Sequence, residues 1–386
     1  MRLAIVAALL AATVSATRLF VADYSGNVTP LSLEEKGGKY QLEKIGAVSK
    51  CGKSPSWLTI DSNRGLLFCM DEGDLSGEGN GTLNSFTIGD DGKLQPVQQA
   101  QTIIGPVNGA IFGHASGKRH FAVSHYAGSV VTTYELRGGG RFRPKATHRF
   151  GMDKPGPVAD RQKAPFEHQA LLDPTGRYLV IPDLGADLLR IFRIDPKTLM
   201  LQDPQFVILE PGFGPRHGVF WNQSGVTGGT TYFYLVGELA SRVTSFRVGY
   251  QDKGQGIAFD KVASVKAVGT AKGNYPAEIA ISPDGHFLSV SNRRDPEQKN
   301  ADSDSLSTFK LSPDGKLTPA HNQPVGAYPR HFSFNAAGTL AAVGLQKDNA
   351  VKIFRRDTVT GKLGDVVANM TLAGEVTCVQ WDEHLP

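Results

Sequence analysis

One six-residue phrase, ending apolar-x-apolar, recurs along the whole chain. It reads PSWLTI (55–60), VNGAIF (107–112), EHQALL (167–172), PRHGVF (215–220), PAEIAI (276–281), PRHFSF (329–334) and VTCVQW (376–381), at intervals of 47 to 61 residues. A repeat of this period means that one supersecondary unit is used several times, each copy burying its apolar face on its neighbour. Six copies lead through a turn into a second apolar run: LLFCMDE (66–72), HFAVSHY (120–126), YLVIPDL (178–184), FYLVGEL (233–239), FLSVSNR (287–293) and LAAVGLQ (340–346). A seventh such run, RLFVADY (18–24), stands near the N-terminus with no first strand before it. A third strand follows each of these, as in DLLRIFRI and SRVTSFRV. A weaker fourth follows again, as in KLQPVQQAQ and KLTPAHNQP.

Four strands per unit in seven units predict an all-β fold, a seven-bladed β-propeller with four antiparallel strands per blade. The ends predict how the ring shuts. The lone C-terminal strand VTCVQW joins the three N-terminal strands as blade seven, which removes an open sheet edge. The many turns suit the 44 Gly and 22 Pro, and the intervening Asp-Pro-Thr-Gly and Ser-Pro-Asp-Gly sequences are turn chemistry. No linker divides residues 17–386, so one domain is expected.

Residues 1–16 read as a secretion signal: Arg2, an apolar run from Leu3 to Ala12, and the small-residue site Val14-Ser15-Ala16. A secreted, extracellular protein is expected, with no membrane partner, because no other apolar stretch approaches spanning length. The N-x-S/T sequons at Asn27, Asn80, Asn222 and Asn369 are compatible with export. Of three cysteines, Cys51 and Cys69 are the expected bridge, and Cys378 is expected as a buried strand residue. A net charge of +4 without a basic, aromatic-interleaved run argues against nucleic acid. No Cys/His spacing resembles a zinc site and no calcium loop is present, so neither metal nor cofactor is expected.

In such a blade the start of the first strand and the end of the second lie at the same mouth of the central channel. The second and third positions of the phrase supply His168, Arg216, His217, Arg330 and His331, and the ends of the second strands supply His125, Asp183, Glu238 and Arg293. His168, Arg216, Glu238 and Arg293 fall in three consecutive blades and are the candidate catalytic residues. Two guanidiniums side by side suit a carboxylate or phosphate, and a His with a Glu is a usual proton-transfer pair. His217, Asp183, Arg330, His331 and His125 are the candidate substrate-binding residues. Arg330 and Asp71 are also candidates for ties between blades. Two longer loops, 161–166 and 295–304, are candidate lids.

EHQALLDPTGRYLVIPDLGADLLRIF, GPRHGVF followed by GEL, PAEIAISPDGHFLSVSNR and YPRHFSFNAAGTLAAVG resemble successive blades of the lactonase propeller family. That family includes a bacterial-type 6-phosphogluconolactonase and the fungal carboxy-cis,cis-muconate lactonising enzyme. The resemblance implies lactone-ring chemistry without metal or cofactor, on a small anionic carboxylate or sugar-acid substrate. It implies His168, Arg216, Glu238 and Arg293 as the catalytic set. Lactonisation of a muconate-type diacid is the first expectation, lactone hydrolysis the second, and a non-catalytic secreted propeller binding an anion or protein the third. One departure bears on mechanism: relatives often carry a His where this chain has Phe166, which counts against chemistry needing two histidines in that loop.

Overall fold

The computed structural model describes residues 16–76, 78–114, 117–222, 229–251, 256–269, 273–298 and 303–383. The sequence signal at residues 1–15 lies outside them. Seven antiparallel sheets follow one another around a ring. Blades one to six open on inner strands Pro55–Asp61, Pro106–Gly113, Leu171–Leu172, Pro215–Asn222, Tyr275–Ile281 and Pro329–Phe334. Blade seven is built from both ends of the chain. Its inner strand Val376–Asp382 pairs antiparallel with Thr17–Asp23, from Arg18 opposite Asp382 to Asp23 opposite Val376. A 2.9 Å ion pair between Arg18 and Asp382 lies at one end of that seam. Among the described residues, no helix is long and apolar enough to cross a membrane.

Seven buried apolar clusters hold the ring, one between each pair of neighbouring blades. The strand alternation explains this. A blade interior to the ring is covered on both faces, so Leu19 and Val21 pack toward blade six while Phe20 and Ala22 pack toward blade one. The bridge between Cys51 and Cys69 forms inside the cluster between blades seven and one. Cys378 is buried in the same cluster as a free thiol. Of the sequons, Asn80 and Asn369 are exposed, whereas Asn27 is buried and its side chain donates to Ser25.

The detail that positions the site is a bulge. In blades one, two, four, five, six and seven the pairing of the first two strands slips by one residue at the channel mouth, for example between Pro215 and Gly218 or Pro329 and His331. In a regular strand, adjacent residues point to opposite faces. An extra residue re-aims the side chains, so that neighbours such as Arg216 and His217 both join the cluster at the mouth. Proline near the start of these strands is tolerated because the ladder is already interrupted there.

Blade three departs from the expected strand 167–172. Its regular ladder is only Leu171–Leu172, with an isolated bridge from Glu167 to Asp183. The Asp183 carboxylate accepts from the backbone N–H groups of Phe166 and Ala186, and this turns the chain out of register.

Ring closure predicts a sharp outcome. Truncation after residue 374 removes the inner strand of blade seven and bares Leu19, Val21 and the edge of Thr17–Asp23. The truncated protein should lose its cooperative thermal transition in circular dichroism. A transition kept within a few degrees of the full chain would show that the seam is dispensable.

Candidate active site

Glu238 is the node of the site. It follows the second strand of blade four and is 3% exposed. Three guanidiniums converge on its carboxylate. Arg161 reaches Oε1 at 2.5 Å, while Arg216 and Arg293 approach Oε2 at 3.0 and 2.8 Å. Burial alone would raise the pKa of Glu238, but Arg293, Arg216 and Arg161 outweigh it and hold the carboxyl at about 2. Arg216 is buried in turn. Burial and the neighbouring Arg293 pull its pKa down to about 9, and Glu238 opposes that shift, so it is charged at neutral pH.

The backbone fixes both inner arginines. Arg216 donates from Nη1 to the carbonyl of Ala277 at 2.6 Å, and Arg293 donates from Nε to that of Tyr275 at 3.0 Å. The Arg293 guanidinium also lies 5.4 Å from the Tyr328 ring centroid. Tyr328 holds that place with a left-handed φ of 60°, an uncommon conformation for a bulky residue.

Beside this node runs a line of imidazoles. His168 Nδ1 is 3.2 Å from His217 Nε2, and His217 Nδ1 is 3.1 Å from Glu278 Oε2. His331 Nε2 lies 3.5 Å from the same carboxylate oxygen. Trp57 presents edge contacts to both His217 and His331, at 5.4 and 5.0 Å between centroids. Burial lowers the pKa of His168 well below 6.5, and the charges of Arg216 and Arg330 and the nearby His217 add to the effect. Burial also lowers His217, and it takes His331 down to about 4. All three rings are neutral at neutral pH. Glu278 remains a carboxylate at about 2: burial opposes that, but contacts with His217 and His331 prevail.

The structure brings His168, Arg216, Glu238, Arg293, His217 and His331 together. Arg330 sits at the same mouth but is already engaged. It donates to Tyr24 at 2.9 Å and to Glu72 at 3.2 Å, while Tyr24 donates to Glu72 at 2.7 Å. These three residues tie blades six, seven and one. Asp71 accepts from the N–H groups of Ser54 and Gly73 and from Thr82.

Two of the sequence candidates are placed elsewhere. His125 is fully buried, with Nδ1 on the Ile103 carbonyl at 2.9 Å and Nε2 on Thr132 at 2.8 Å. Asp183 is spent on the backbone groups named above and on Arg190, at 2.5 Å. Glu167 lies in the same buried group, 3.2 Å from Arg190.

Repeat position marks the residues that motif reasoning left out. Glu278 occupies the place in blade five that His217 and His331 occupy in blades four and six. Arg161 comes from a loop and has no repeat equivalent. That loop lies flat on blade three. Gln162 donates to the Leu184 carbonyl, and Ser129 donates to that of Pro165. A Cβ at Gly185 would meet the Ala164 carbonyl oxygen at 1.8 Å, so only glycine permits the contact. Phe166 stacks on Tyr126 at 4.4 Å and forms an aromatic wall there. The other candidate lid includes residues 299–302, outside the described residues.

Beyond Trp57, His331 and Glu278 the channel widens into an opposite funnel of about 600 Å³ lined with Leu171, Ile281 and Phe334. That larger cavity contains none of the arginines.

A closed ring of seven blades gathers buried arginines and neutral histidines at one mouth, around a cavity of only about 10 Å³. The chain belongs to the family of the lactonase, 7-bladed beta-propeller, whose model matches residues 10–381, and this is an enzyme family. It is 28% identical over 363 residues to the probable 6-phosphogluconolactonase of Arthroderma benhamiae, covering 94% of this chain and 88% of that one. It is also 28% identical over 325 residues to the 6-phosphogluconolactonase of Formosa agariphila, covering 83% and 86%. The solved periplasmic gluconolactonase of Pseudomonas aeruginosa shares the fold, with a TM-score of 0.79 at 24% identity over 96% of this chain and 100% of that one.

The buried Glu167 predicts a pH effect on stability. Burial, with Asp183 adding to it, raises its pKa well above 4.5, so the folded protein holds a proton there that the unfolded chain releases. That costs stability progressively as pH rises from the ordinary carboxylate range. Glu167→Gln should therefore raise the melting temperature at pH 8 and leave it nearly unchanged at pH 4. Equal changes at both pH values would contradict the assignment.

Proposed function

We propose that this protein is a lactone hydrolase acting on a small sugar-acid lactone at the Arg216–Arg293 mouth. The observation that carries the reading is the neutral His168 beside the buried Arg216, which shares Glu238 with Arg293, in a chain of the lactonase family. His168 takes a proton from water as that water attacks the lactone carbonyl carbon. The developing oxyanion is stabilised by Arg216 and Arg293, which are already fixed by backbone carbonyls and need little reorganisation. Collapse breaks the ring C–O bond, and His168 returns the proton to the departing alkoxide. The product is a hydroxy acid, which loses a proton to solvent.

Glu238 is not the base in this scheme. A carboxylate held at about 2 by three arginines is a poor proton acceptor at neutral pH. It instead keeps Arg216 and Arg293 charged and adjacent despite their mutual repulsion. Two guanidiniums against one shared carboxylate leave an excess of positive charge, which suits a substrate with an anionic group. The same residues would serve lactonisation of a diacid, the first expectation from the sequence. The gluconolactonase names of the relatives favour hydrolysis.

We also propose that the protein acts outside the cell. The leader at residues 1–16 and the Cys51–Cys69 bridge both support export into an oxidising compartment.

The test is acid release from a panel of sugar lactones by the purified protein. Turnover should fall about a hundredfold or more in His168→Asn, the range expected for loss of a general base. Arg216→Lys should lower kcat/KM by a similar factor, because a point charge replaces a fixed planar guanidinium. The acid limb of kcat/KM should lie below pH 6.5, since His168 loses its proton more readily in the fold than in solution. No release from any lactone by folded protein, or release undiminished in His168→Asn, would overturn the reading.

A further inference from the structure

We infer that Glu278 and His217 are positioning residues that decide which nitrogen of His168 is basic. This rests on the hydrolase reading and goes beyond it, because it assigns a role to two residues that act through His168. The argument starts at the carboxylate. Glu278 is buried and, as an ionised group, can only accept hydrogen bonds. Its Oε1 accepts from the backbone N–H of Ile279 at 3.1 Å. The His217 Nδ1, 3.1 and 3.2 Å from the two carboxylate oxygens, must therefore carry a hydrogen. His217 is neutral, so its Nε2 has a lone pair and no hydrogen.

The direction then propagates by one ring. His168 Nδ1 faces the His217 Nε2 lone pair at 3.2 Å, so His168 must donate from Nδ1. Its own Nε2 is left with the lone pair. That nitrogen is the one able to take a proton from water. Were the line reversed, His168 would carry its hydrogen on Nε2 and be unable to act as the base.

His331 protects the arrangement. Its Nδ1 accepts from the Val379 N–H at 3.3 Å, so its hydrogen sits on Nε2 and points to Glu278. His217 from blade four thus donates to the carboxylate from blade five, and His331 from blade six stands 3.5 Å from it. The edge of Trp57 closes over both rings. The groups hydrogen-bonded to the Glu278 carboxylate, the Ile279 N–H and His217 Nδ1, are both donors, which holds the direction of the line.

The experiment reads the tautomer directly. Protein with ¹⁵N-labelled histidine is observed by imidazole NMR, and His168 is assigned by loss of its signals in His168→Asn. The unmutated protein should show His168 protonated at Nδ1 and bare at Nε2. In Glu278→Gln the amide N–H₂ competes for the place that accepts from His217 Nδ1, so a hydrogen should appear on His168 Nε2. On the best lactone kcat should fall about a hundredfold with KM changed less than threefold, since a wrong tautomer removes the base and leaves the arginines. His217→Phe keeps a ring in place and should also release the tautomer, which covers the case of an unstable Glu278 variant. Finding His168 protonated at Nε2 in the unmutated protein would overturn the inference. So would an unchanged tautomer and kcat in both variants. Absence of turnover in the unmutated protein would sink the hydrolase reading separately, while the nitrogen shifts would still decide the tautomer.

Discussion

Everything at the channel mouth depends on a carboxylate shared by several cations. Glu238 allows Arg216 and Arg293, each almost wholly buried, to stand together at 3.0 and 2.8 Å from one oxygen. Without it, two like charges in a poorly solvated pocket would repel and one would lose its proton or turn away. Glu278 plays the corresponding part for His217 and His331. The site is thus two carboxylate-centred clusters side by side, and His168 lies where they meet.

The fold makes these clusters possible through closure and the bulge. Closure by Val376–Asp382 fixes the angle between blades, so side chains from blades three to six arrive at one place. The bulge near the start of each regular inner strand gives two consecutive residues access to the mouth. Arginine at the second position and histidine at the third can then serve different clusters, as Arg216 and His217 do. Tyr24, Glu72 and Arg330 use the same geometry on the other side of the mouth to tie blades six, seven and one.

Much of this was legible in the sequence. The phrase repeated seven times carries the blade count and the closure, because each copy is an inner strand with its turn. The grouping of His168, Arg216, Glu238 and Arg293 followed from repeat position alone. What escaped did so for physical reasons. His125 and Asp183 hold equivalent repeat positions, yet local bonds to Ile103, Thr132 and Arg190 consume them, and such bonds leave no periodic mark. Glu278 was visible at the right position but looked like one carboxylate among many until its bond to His217 and its closeness to His331 were seen. Arg161 belongs to an insertion, and repeats say nothing about where an insertion folds. The irregular inner strand of blade three was hidden because backbone capping by Asp183 overrides the strand pattern.

The most direct test of the account is a crystal structure of the protein with an aldonate, the ring-opened product of a sugar lactone. The account predicts the carboxylate between Arg216 and Arg293, with His168 Nε2 within hydrogen-bond reach of the product. An aldonate found in the opposite funnel among Leu171, Ile281 and Phe334, with the arginine mouth empty at saturating ligand, would contradict it.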